Sequence, residues 1–171
     1  MSPEPAAVEF VDATLFLGMN SAEESVRVAC KAFFVARLAG RVTMSLEQVG
    51  RCDDLVWQFS REVQDAYYPF MDFLHTVMAI DRTGYTEDDL RHAPDSAKYG
   101  ELATHERLAL GMVINRGGVL RTVSSRLLGR PELPAQAVQP TPEPAAEPSF
   151  PQPLERLYQQ SLALRLAPTA L

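Results

Sequence analysis

Lysine is almost missing from this chain: two lysines stand beside 14 arginines, against 22 acidic residues, for a net charge of −6. A protein that grips a nucleic-acid backbone by charge presents a basic face. The only local surplus here is Arg116, Arg121, Arg126 and Arg130, while "DRTGYTEDDLRHAPD" is acidic. Tight non-specific nucleic-acid binding is therefore disfavoured, and any RNA contact is expected to be weak or partner-assisted. Cysteine is scarce too. Cys30 and Cys52 are too few for a disulfide framework and lack metal-ligand spacing, so they read as buried thiols of a cytoplasmic protein. No apolar run nears the ~20 residues that span a bilayer, and "MSPEPAAVEF" has neither a basic nor an apolar leader region; no membrane association is expected. The chain holds no G-x-S-x-G, no Walker loop and no G-x-G-x-x-G. His75, His92 and His105 lie on separate elements without the HxH or HxxxH spacing of a metal pair.

What is present is an ordinary globular balance, 46% hydrophobic and 22% charged over 171 residues, enough for one domain with a real core. "VEFVDATLFLGM" (8–19) fits a buried strand running to the region of Asp12 to Leu17. Ser21 and Glu24 have capping-box spacing for a helix whose face is Val26, Cys30, Phe33, Phe34 and Leu38, with Gly40 as its stop. "RVTMS" is a second strand, and Ser45 can cap the helix after it. Residues 61–79 are helical, but Pro69 lacks the amide for an i−4 bond and is expected to split the run near Tyr68. "DRTGY" reads as a turn, and Thr86 with Asp89 starts a short helix. A helix over 101–115 carries Leu102, Glu106, Leu110, Val113 and Ile114 in phase; Gly117-Gly118 ends it and "VLRTVSS" is the next strand. This alternation predicts an α/β fold with a parallel sheet and helices on both faces.

The character changes after Arg130. Residues 131–153 contain eight prolines among Ala, Glu and Gln, a composition of extended, unpacked linker. Residues 154–167 return to amphipathic helical spacing, with Leu154, Leu157, Tyr158 and Leu162 (or Ser161) on one stripe. That stripe needs a cover: its own domain, a sister subunit in a homo-oligomer, or another protein. The expected division is therefore a domain at 1–130, a linker at 131–153 and a helix at 154–167.

Three segments carry a likeness to a known family. "FVDATLFL" places Asp12 at the end of the first strand, "VTMSLEQVGRCDDL" follows the second strand with acids, and "ERLALGMVINRGGVLRTVSS" sets an acidic helix before a glycine break, a strand and hydroxyl side chains. In this order they resemble PIN-domain proteins, small α/β metal-dependent nucleases that include many toxin ribonucleases. The resemblance covers residues 8–130. It implies a three-layer α/β/α fold and a metal-binding aspartate at Asp12, followed here by Ala13 and Thr14 where the family has Thr or Ser, then Asn. It implies a second acid for which Glu47 is the nearest candidate, one turn before the usual position at Gly50, with Asp53 and Asp54 one turn later. It implies a third acid at Glu106, a threonine at Thr122, and Ser124 where a fourth acid stands.

By that resemblance Asp12, Glu47 and Glu106 would hold Mg²⁺ or Mn²⁺ for phosphodiester hydrolysis, with Thr122, Ser124, Arg121 and Tyr67 as substrate contacts. Ser124 removes one charge from the ring, which works against a two-metal clamp. The competing expectation is a repurposed PIN-like cleft that binds or converts a small apolar or acyl-type intermediate, as an isomerase or cyclase does, using the remaining carboxylates and the aromatic cluster at Tyr67, Tyr68, Phe70 and Phe73. A third is a module that recruits a partner through its arm and terminal helix.

Overall fold

The computed structural model describes residues 6–138 and 147–171. Five parallel strands form one sheet in the order β3-β2-β1-β4-β5: β1 (Glu9–Val11), β2 (Arg41–Ser45), β3 (Ala79–Thr83), β4 (Val119–Thr122) and β5 (Ala135–Ala137). Central β1 pairs Phe10 with Thr43 of β2 and with Leu120 of β4. Side chains alternate across a strand, so Phe10 and Val11 enter different cores. Val11, Val42 and Met44 meet Phe16, Phe34, Phe70 and Leu74, whereas Phe10 and Leu120 meet Leu110, Met112 and Val113. Helices thus cover both faces, and the sheet is buried as all-parallel sheets require.

The helices are α1 (Ala13–Gly18), α2 (Glu24–Ala36), α3 (Leu46–Val56), α4 (Arg61–Val77), α5 (Glu87–Arg91), α6 (Thr104–Asn115), α7 (Ser125–Leu128) and α8 (Leu154–Ser161). Several differ from what the sequence suggests, each for a physical reason. The run 8–19 is only briefly a strand, because Asp12 caps α1 by accepting from the Thr14 amide and turns the chain. Ser21 accepts from the Glu23 amide instead of forming a box with Glu24, and α2 stops at Ala36, short of Gly40. Pro69 does not split α4. It and Asp65, whose carbonyl loses its partner, both face water, so solvent satisfies the freed oxygen. "DRT" belongs to edge strand β3 instead of a turn. The Thr86–Asp89 capping box forms as expected, with bonds of 3.1 and 2.8 Å.

The tail departs most from expectation. Residues 135–137, inside the span expected to be unpacked, add β5 to the sheet edge beside β4, and Leu133 and Phe150 are buried; residues 139–146 of that span lie outside the described residues. Helix α8 is shorter than 154–167, and its stripe is covered by this same chain, not by a partner. Tyr158 is fully buried against Phe70 and Phe150, at ring-centroid distances of 5.2 and 5.8 Å. Its hydroxyl donates to the Met19 carbonyl (2.9 Å) and accepts from Arg27 (2.7 Å). Buried Lys31 donates to Glu147 and Glu155, 2.8 Å each. Beyond α8, the Leu166 carbonyl accepts from the Ala22 amide at 2.7 Å and the Leu166 amide donates to the Asn20 carbonyl at 2.9 Å, joining the two segments.

Candidate functional site

In an open parallel sheet, ligands settle outside the carboxyl ends of the strands. A cavity of about 420 Å³ lies there, beyond the ends of β1 and β4 and lined by Asp12, Gln48, His105, Glu106, Ser124 and Arg126. Arg51, Asp54 and the last residues, Thr169–Leu171, complete its walls.

Asp12 is 5% exposed. Its Oδ1 accepts from the Thr14 amide at 3.0 Å and from the Thr14 hydroxyl at 2.5 Å. Burial pushes its carboxyl above the ordinary 3.8, against hydrogen bonds from Thr122 and Thr14 that favour the charged form, and no cation offsets the burial among the described residues. Glu106, from the first turn of α6, is differently held. One oxygen accepts from Arg126 (2.9 Å) and is 3.4 Å from the Ser124 hydroxyl, while the other caps the helix by accepting from the Ala103 amide (2.8 Å). Gln48 bridges the chain neighbours of the two acids, Ala13 and His105. Its Oε1 accepts from the Ala13 amide (3.0 Å) and its Nε2 lies 3.3 Å from His105 Nδ1. Burial, then Arg51, lowers the His105 pKa, so that ring is neutral at neutral pH.

Of the residues singled out from the sequence, the fold brings Asp12, Asp54, His105, Glu106, Ser124 and Arg126 to this cavity. Thr122 is buried just behind it, its hydroxyl 3.2 Å from that of Thr14 and accepting from the Ser124 amide. Glu47 is not there. It is exposed on the outer side of α3 and accepts from the Tyr85 hydroxyl at 3.0 Å. Arg121 points to the opposite face of the sheet and pairs with Glu9 at 2.9 Å. Tyr67 lines a separate cavity on the far side of α3. Sequence reasoning missed Gln48 and Thr169–Leu171. Gln48 did carry a signal, since the third residue after the Ser45 cap sits in the first turn of α3, which leaves the end of β2 at the crevice.

A divalent metal needs several converging oxygens, usually carboxylates. Asp12, Glu47 and Glu106 do not assemble as such a set, because Glu47 meets Tyr85 on the outer side of α3 and Arg126 holds Glu106. Among the described residues no three His, Cys, Asp or Glu side chains are grouped to hold an ion. The donors present do not fit the metal centre that the PIN resemblance implied. Nor does the arginine surplus form a free basic face: Arg116 pairs with Asp89, Arg121 with Glu9, Arg126 with Glu106, and Arg130 with Glu101.

Fold and cavity together define an all-parallel α/β domain with a polar crevice at the carboxyl edge of its sheet. The chain belongs to a family of unknown function, DUF6190, whose model matches residues 1–171. Comparison with curated proteins finds no match. Among solved structures, a chain of VapBC2 from Rickettsia felis, crystallised bound to a DNA fragment from their promoter, is similar with a TM-score of 0.56. The match covers 77% of this chain and 99% of that one at 9% identity, a likeness of fold. No described helix is long and apolar enough to cross a membrane.

Proposed function

We propose that this is a PIN-like domain whose cleft has left metal-dependent strand cleavage and instead holds a compact polar small molecule, with Asp12 as the group that exchanges a proton with it. Kinship with PIN proteins is supported by the fold shared with the VapBC2 chain and by Asp12, Glu106 and Ser124 lying on one cavity. The observation that carries the change of use is Gln48, not Glu47, on the cavity wall beside Ala13, with Glu106 already paired to Arg126. An amide in place of a carboxylate withholds the negative charge a divalent cation requires. A neutral amide, a neutral imidazole and two differently held carboxyl groups suit recognition and proton transfer of the isomerase or cyclase kind. The cavity volume falls in the range of small-molecule sites, and Thr169–Leu171 wall it where a nucleic-acid strand needs an open groove. The VapBC2 structure contains promoter DNA; with every arginine of the local surplus paired, this chain has little to offer a phosphate backbone.

Divalent-metal nuclease activity is the competing reading, favoured by Asp12 and Glu106 sharing the cavity. One experiment separates them: thermal unfolding with Mg²⁺, Mn²⁺ or EDTA, for wild type, Asp12→Asn, and Gln48→Glu combined with Arg126→Ala. The wild type is expected to ignore metal. The double variant, with a third carboxylate and Glu106 released, is expected to gain about 2–3 kcal/mol at a metal concentration near a hundred times its Kd. If the wild type is stabilised by Mn²⁺, loses that gain in Asp12→Asn and cuts RNA, the nuclease reading holds and ours falls.

A further inference from the structure

A second cavity, of about 450 Å³, lies between α3, α4 and the strands β2 and β3. Helix α3 separates it from the cleft: Gln48, Arg51 and Leu55 face one side, Val49, Cys52 and Asp53 the other. Its walls are aromatic and soft, including Phe16, Tyr67, Tyr68, Met71 and His75. Tyr67 lines it, and the Tyr67 hydroxyl has no hydrogen-bond partner among the described residues, although the residue is only 2% exposed. An orphaned buried hydroxyl is costly unless something else satisfies it.

The other polar groups indicate what that partner offers. His75 Nδ1 lies 2.8 Å from the Met71 carbonyl, which can only accept, so Nδ1 donates and the neutral ring keeps an acceptor at Nε2. The His75 ring lies nearly parallel to Phe16, at 5.8 Å and 22°, so flat surfaces already stack here. The Tyr68 hydroxyl donates to Asp53 Oδ1 at 2.9 Å, leaving the second carboxylate oxygen as an acceptor, and Asp72 adds another at the exposed rim. Against these acceptors the only cation of the lining is Arg82. The cavity is flat-walled, rich in acceptors and net negative, so it favours a ligand that brings N–H groups over one that brings a carboxylate.

We infer that this cavity is a binding site for a planar amino-substituted nitrogen heterocycle of nucleobase size. The ring lies against the aromatic and methionine side chains, the amino group donates to Asp53 and His75, and the Tyr67 hydroxyl donates to a ring nitrogen. The site is independent of the Asp12 cleft and of what that cleft does.

The test is isothermal titration of the full chain with adenine, cytosine, unsubstituted purine and benzoate. Adenine or cytosine is expected to bind, with purine weaker and benzoate undetectable. Tyr67→Phe keeps the ring and removes only the orphaned hydroxyl, so it folds at least as well as wild type and weakens binding about three- to tenfold, the worth of one hydrogen bond. Asp53→Asn, which loses the charge but can still accept from Tyr68, weakens it as well. Asp12→Asn, in the other cavity, leaves the affinity unchanged. The inference is overturned if neither amino heterocycle binds at millimolar concentration, if benzoate binds as well as they do, or if Asp12→Asn abolishes binding while Tyr67→Phe does not.

Discussion

Replacing Tyr158 by alanine should unfold much more than the helix that carries it. The ring is fully buried between Phe70 and Phe150, and the Lys31 ammonium lies 4.5 Å from its centroid. Emptying such a site costs about 3–5 kcal/mol. Its hydroxyl also serves the Met19 carbonyl and the Arg27 guanidinium, and leaving the carbonyl unpaired and Arg27 with Glu24 and Glu147 alone adds about 1–3 kcal/mol. A loss of about 4–8 kcal/mol would consume most of the stability of a typical domain, which is about 5–15 kcal/mol. At about 2–4 °C per kcal/mol for a chain of this size, the melting temperature should fall by about 8 °C or more. Tyr158→Phe keeps the ring and should lose only the hydroxyl's share, about 1–3 kcal/mol. Urea and thermal unfolding followed by far-UV circular dichroism measure both. Because α8 packs into the main core, unfolding should be one cooperative transition. Two separate transitions, or an alanine variant within 2 °C of wild type, would show that the terminal helix is a detachable appendage and refute the argument.

Other outcomes follow from particular contacts. Gly111→Ala would place a Cβ 2.4 Å from the Asp89 carbonyl oxygen and 2.8 Å from the Ala93 amide; these are backbone atoms that cannot swing aside, so α5 must lift from α6 at a cost of about 1–3 kcal/mol in denaturant titrations. Burial raises the Asp12 carboxyl above 3.8, so its charged form destabilises the fold. That penalty is absent below the ordinary value and grows as pH rises through the raised one. Asp12→Asn should therefore gain stability over wild type near neutral pH, a gain that vanishes as pH falls toward 4; a constant difference across pH would contradict it. Glu147 behaves oppositely. Arg27 foremost, with Lys31, holds its carboxyl down to about 2 from 4.5, so its contribution is present above 4.5 and lost as pH falls toward 2. Amide exchange in α8 should accelerate over that acid range before exchange in β1 does, and equal protection in both would argue against the contact.

Much of the sheet could be read from the sequence because its central strands are buried on both faces and leave continuous apolar signals, as in "VEFV" and "RVTMS". The two edges could not. "AIDRT" in β3 alternates with exposed polar side chains, and "AQA" in β5 sits among prolines, so neither carries a core signature. That Asp12, Glu106 and Ser124 line one cavity was legible because each stands at an element boundary, where capping chemistry and glycine breaks fix the chain. Of the candidates for the second acid, Asp54 lines the cavity and Glu47 does not, while the next residue, the amide Gln48, does. One position on a helix turns a side chain by about 100°, enough to send Glu47 outward to Tyr85 and Gln48 inward to Ala13. No local pattern could have revealed Thr169–Leu171 beside Asp12, since that proximity arises only when the arm folds back across the domain.

That return of the arm ties reactivity to endurance. The residues that close one flank of the Asp12 crevice hang from a segment seated by Tyr158 and pinned where Leu166 meets Asn20 and Ala22. Nothing can unlatch the seat without also unroofing the acid. Heat, low pH or a loosened aromatic cluster, all remote from the crevice, must therefore alter how freely solvent and solutes reach it.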